Sequence, residues 1–84
     1  MSWNTFHISL TPGASIEWWY GWGDDHGAQI AQPREFTGST RNNKLKINYD
    51  GLFRDTSNAI WYFVSITNNG PNTATFELVG GGLT

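Results

Sequence analysis

Ala59-Ile60-Trp61-Tyr62-Phe63-Val64-Ser65-Ile66-Thr67, then Asn68-Asn69-Gly70-Pro71-Asn72, then Thr73-Ala74-Thr75-Phe76-Glu77-Leu78-Val79, is the stretch that decides the fold. Side chains of an extended chain point alternately to opposite faces. Ile60, Tyr62, Val64 and Ile66 therefore form one apolar row and Ala74, Phe76 and Leu78 its partner, while Trp61, Phe63, Ser65, Thr75 and Glu77 look the other way. The intervening residues are turn formers. The pattern predicts two strands closing as a hairpin.

The same alternation runs backward through the chain. Ala14 to Trp22 reads as a strand in which Ile16, Trp18, Tyr20 and Trp22 share one face and Glu17, Trp19 and Gly21 the other. It ends in Gly23-Asp24-Asp25-His26-Gly27, a run of residues that tolerate left-handed backbone or bond their own main chain. Asn4 to Leu10 predicts a first strand with Phe6, Ile8 and Leu10 inward and Trp3, Thr5, His7 and Ser9 outward, stopped by Thr11-Pro12-Gly13. Ala28 to Phe36 reads as an edge strand or a long connection, because Pro33 cannot donate to a central ladder. Thr37 to Asn43 is loop by composition. Lys44 to Tyr49 places Leu45, Ile47 and Tyr49 inward, and Asp50-Gly51 offers a tight turn into Leu52-Phe53-Arg54. Gly80-Gly81-Gly82 reads as the start of a flexible exit over 80–84.

No segment has helical spacing, and short strands at this density of turn signals predict an all-β fold. The expected form is a small single-domain antiparallel β-sandwich over residues 1–84, Ig-like or jelly-roll-like, with a small β-barrel as the alternative. The segment Ser65 to Leu78, with its Thr67-Asn68-Asn69-Gly70-Pro71 turn, resembles the terminal hairpin of bacterial immunoglobulin-like and adhesion-type sandwich modules. That resemblance implies fold alone, and the immunoglobulin Cys–Trp–Cys pattern is absent.

Composition narrows the function classes. In 84 residues there is no cysteine, so a core must hold the domain without disulfides, and five Trp, five Phe and three Tyr are the material for it. The formal net charge of −2 gives little electrostatic support to phosphate binding. The basic residues Arg41, Lys44, Lys46 and Arg54 read as an edge guarded against strand pairing rather than as a nucleic-acid surface. Neither a signal peptide nor a membrane span is expected, and the cationic flanks of an interfacial tryptophan belt are missing around Trp18 to Trp22. There is no nucleophile elbow, phosphate loop or cysteine nucleophile, so the reading is non-enzymatic with no catalytic residues.

Side chains assigned away from the core include Trp3, His7, Trp19, Trp61 and Phe63, too apolar a set for a solvated sheet face. The leading expectation is a carbohydrate-binding, lectin-like module. In it Trp19, Trp61, Trp3 and Phe63 form an aromatic platform, Gly21 leaves a shelf beside Trp19, and Glu17, Asp24, Asp25 and Asn48 hold hydroxyls. The alternative is a self-assembling or protein-interaction domain whose aromatic face is a homo-oligomer interface. Asp24, Asp25 and His26 are the candidates for a cation such as calcium, although a polar turn bonding its own backbone explains the same residues.

Overall fold

A computed structural model describes residues 2–5, 7–36 and 44–82. Among these residues seven strands, β1 (Ser2–Asn4), β2 (Ile8–Leu10), β3 (Ser15–Gly23), β4 (Gln29–Glu35), β5 (Leu45–Arg54), β6 (Ile60–Asn68) and β7 (Ala74–Gly82), form two antiparallel sheets. In sheet A, β7 is central, with β1 and β2 along one edge and β4 along the other. In sheet B, β6 is central between β3 and β5. The chain is a small all-β sandwich, with two separate sheets rather than the closed barrel of the alternative expectation.

The row assignment for the closing stretch is correct, but its pairing is not. Ile60, Tyr62, Val64, Ile66, Ala74, Phe76 and Leu78 are all buried. They face one another across the sandwich instead of along a hairpin, because β6 pairs with β3 and β5 while β7 pairs with β1, β2 and β4. The Asn68 to Asn72 turn is thus a crossover between sheets. Fully buried Asn68 fixes it: its Nδ2 donates to the carbonyls of Leu10 (2.9 Å) and Asn72 (2.8 Å), and its Oδ1 accepts from the backbone N–H of Gly70. A buried amide with these bonds satisfied rigidifies the corner it occupies.

Local insertions and strand pairing correct further expectations. The hairpin at Asp50-Gly51 does not form, since β5 runs continuously to Arg54. Instead the register against β6 slips between Ile47 and Tyr49, leaving Asn48 as the extra residue of a bulge. A bulge reverses parity. Tyr49, expected inward, lies opposite outward-facing Ser65, and Phe53 lies opposite Trp61. The first strand is likewise two pieces, β1 and β2, and the break between them turns Trp3 inward opposite Gly80. The indole of Trp3 occupies the place where a Cβ on residue 80 would sit, so glycine there is a packing requirement. Gly80–Gly82, expected to be a flexible exit, are strand residues paired with β1 and β4. Pro33 does lie on an edge strand. The predicted loop over Thr37 to Asn43, Arg41 included, lies outside the described residues.

Inside the sandwich the apolar rows grade into aromatics. Ile8, Leu10, Val64, Ile66, Ala74, Phe76 and Leu78 form one core cluster, flanked by partly buried Ile16, Trp18, Tyr20, Leu45 and Ile47. Beyond it Trp3, Tyr20, Trp22 and Tyr62 pack as rings, with centroids 4.5 Å apart for Trp3–Tyr20 and 5.4 Å for the stacked pair Tyr20–Tyr62. Trp22, expected in the core, lies within the register slip between Tyr20 and Gly23 and is 39% exposed at the rim.

Candidate functional site: the outer face of sheet B

The outward residues of β3, β5 and β6 form one aromatic surface. Register places Glu17 opposite Ser65 and Trp19 opposite Phe63, with Tyr49, Gly51 and Phe53 on the far side of β6 opposite Ser65, Phe63 and Trp61. Trp19 reaches over the central strand to Phe53, with an edge-on centroid distance of 5.5 Å, and Phe63 meets both Phe53 and Tyr49 at 6.1 Å. Gly51 makes the layer flat: a Cβ there would stand 2.6 Å from Cζ of Phe63, so the ring lies down on the backbone. The shelf expected at Gly21 is instead bordered by the Trp61 ring. Trp19 is 56% exposed and Tyr49 50%.

Two carboxylates orient these rings. Glu17 accepts the Trp19 indole N–H on one oxygen (2.5 Å) and the Tyr49 hydroxyl on the other (2.6 Å), a phenol delivered from the opposite edge of the sheet. The Tyr49 bond, then the Trp19 bond, hold the Glu17 carboxyl below its ordinary 4.5. The bond to Glu17 in turn raises Tyr49, because losing the phenol proton would set two anions side by side. Asp55 accepts the Trp61 indole N–H (3.0 Å) as well as the hydroxyl and N–H of Ser57 and the N–H of Ala59. The Ser57 hydroxyl first, then Trp61, lower its carboxyl to about 2. Asn48 donates both amide hydrogens within the sheet, to Ser65 Oγ (3.1 Å) and Thr67 Oγ1 (2.7 Å). Those bonds leave its carbonyl oxygen as an acceptor beside Tyr49.

Of the residues singled out from sequence, Glu17, Trp19, Trp61 and Phe63 come together on this face. Trp3 belongs to the inner layer, where its indole N–H donates to Gln29. Asp24 and Asp25 lie in the connection after β3. Asp25 caps that turn by accepting the Gly27 N–H (2.8 Å) and approaches Arg54 at 3.9 Å, while the His26 ring packs edge-on to Trp22. No group of three or more metal-ligating side chains occurs among the described residues. Tyr49, Phe53 and Asp55 are members of the face that alternation missed, the first two because the Asn48 bulge reverses their parity. The face is open, with no enclosed cavity or cleft among the described residues. Among the described residues no helix is long and apolar enough to cross a membrane. Comparison of the chain with protein-family models, with curated proteins and with solved structures returns no match.

Proposed function

We propose that the domain is a non-enzymatic carbohydrate-binding module that works through the outer face of sheet B. The observation that carries the reading is Trp19: a large apolar ring more than half exposed, held at a fixed angle by Glu17, in a level layer with Phe53, Phe63 and Tyr49. A ring that is both wet and pre-oriented suits stacking on the apolar face of a sugar, since little side-chain entropy is lost on binding. Flatness without a cleft favours an extended glycan chain lying across the strands over a single buried sugar. Asn48 supplies an acceptor for a hydroxyl at the edge of the stacked ring.

A second reading has the same face packing against a protein surface. It is favoured by the engagement of both Glu17 oxygens within the sheet, which leaves the face poor in free polar groups. Titration of the intrinsic tryptophan emission with a panel of soluble glycans separates the two. A saturable shift that disappears in Trp19→Ala supports sugar stacking, whereas a flat response across the panel rejects it.

A further inference from the structure

A sheet edge is a row of unpaired backbone donors and acceptors, and proteins guard such edges with proline, lysine, bulges or very short strands. Three of the edges here are guarded. β4 carries Pro33 and Arg34, β5 carries Lys46, the Asn48 bulge and Arg54, and the β1/β2 edge is divided into strands of 3 residues each. The β3 edge has none of these devices from Ser15 to Tyr20, where its register against β6 is regular, and among the described residues it pairs with β6 alone. Its only charge is Glu17. That charge does not stand guard, because its carboxylate is drawn over the sheet by Tyr49 from β5.

The backbone groups left open can be identified. Asn68 donates its N–H to the carbonyl of Ala14 (3.0 Å) and accepts the Gly13 N–H on its own carbonyl (2.8 Å), so both backbone groups of Asn68 bond toward β3 at the start of the ladder. In an antiparallel ladder such bonding recurs at every second residue. Ile16, Trp18 and Tyr20 therefore bond toward β6, and Ser15, Glu17 and Trp19 present N–H and C=O to the open side.

We propose that β3 pairs antiparallel with β3 of a second copy of this chain, extending sheet B across a twofold axis. With Trp18 on the axis, Glu17 of each copy stands opposite Trp19 of the other, and reciprocal backbone bonds form between them. Moving the axis onto Glu17 would set Glu17 against Glu17, which like charge disfavours. The pairing leaves the outer face uncovered and joins two such faces edge to edge, with the Trp19 indoles of both copies flanking the junction. A single weak site then becomes two sites on one continuous surface, which raises avidity for any repeating ligand. The edge pairing itself stands on the strand geometry and does not require the ligand to be a sugar.

Amide exchange measured by NMR over a concentration series, alongside light scattering, tests it. The expected result is a dimer at high concentration in which the Glu17 and Trp19 amides exchange roughly tenfold or more slowly than in the dilute monomer, while the amides of Lys46 and Arg54 are unchanged. Glu17→Pro, which removes an outward N–H and spares the bonds to β6, is expected to stay folded and monomeric. A monomer at every concentration overturns the proposal. So does a dimer whose Glu17 and Trp19 amides exchange as fast as in the monomer, the signature of an interface on the aromatic face. If Glu17→Pro does not fold, exchange in the unaltered chain still decides between these outcomes.

Discussion

Two aromatic clusters lie on opposite sides of β6, and adjacent residues of the same strands supply both. Tyr20 and Tyr62 belong to the inner cluster, whereas Trp19, Phe63 and Trp61 belong to the outer one. Ring chemistry does not distinguish them; the layer does. The inner rings receive a cover from sheet A in the form of Trp3, and their polar tips bond neutral partners: Tyr62 donates to the Gly27 carbonyl (2.7 Å) and Trp3 to the Gln29 side chain. The outer rings come from sheet B alone, and their tips bond carboxylates, Trp19 and Tyr49 to Glu17 and Trp61 to Asp55. One cluster is held by burial and the other by charge-assisted hydrogen bonds.

Truncation should separate them most sharply. Tyr62 is 2% exposed, and Tyr62→Ala is expected to cost about 3–5 kcal/mol, the range for emptying a large aromatic site. Trp19→Ala is expected to cost under about 1 kcal/mol, as for a surface position. Urea denaturation of both variants measures the difference, and equal losses would show that the outer layer is structural.

Titration should divide them next, on its acid limb. Burial, with Asp50 and Tyr62 nearby, pushes the inner Tyr20 phenol up to about 12 from 10.0. The folded state thus keeps a proton that the unfolded chain has lost, so stability is full below pH 10 and falls as pH rises toward about 12. For the outer carboxylate Glu17 the sign reverses. Glu17 is depressed from 4.5, so its contribution is present above that value and is lost as pH falls through the folded value. Acidification should therefore loosen Trp19 and Tyr49, seen as a change in tryptophan emission and ring NMR shifts, while Tyr62 resonances stay in place. Asp55 remains ionised down to about 2, so Trp61 should keep its anchor through most of that range.

The smallest effect sharpens the outer network alone. Tyr49→Phe removes the larger of the two bonds that depress Glu17, and the carboxyl, followed by carbon-detected NMR, is expected to titrate closer to 4.5. Stability should be nearly unchanged, as for a surface substitution. A Glu17 titration unmoved by this change would mean that the phenol does not reach the carboxylate in solution.

The split of Trp19 from Trp18 and Tyr20 was legible in the sequence, as were the buried rows of β6 and β7, because each lies within a regular strand whose period of two fixes its faces. Tyr49, Phe53 and Trp3 were not legible. Each follows or precedes a one-residue irregularity that reverses parity, and Asn48 bears no composition that marks a bulge. Nor could alternation tell a hairpin from a crossover after Asn68, because both need the same turn residues and the same apolar rows. What differs is the strand that each row meets sideways, and those partners are supplied by residues as remote as Trp3 and Gly80.

The central place of β7 sets an order on assembly. Every pairing in sheet A runs through this strand, and the Asn68 latch spans 58 positions to Leu10. During synthesis β1, β2 and β4 emerge first and have no sheet to join until Ala74 to Gly82 has followed. Sheet B has all of its strands by Asn68, so its inner row of Tyr62, Val64 and Ile66 is on offer to solvent in the interval. Formation of native sheet A is thus a late, long-range event, of the kind that slows folding in proteins dominated by non-local contacts. A chain stopped short of Ala74 would retain the outer aromatic layer while leaving its reverse side bare.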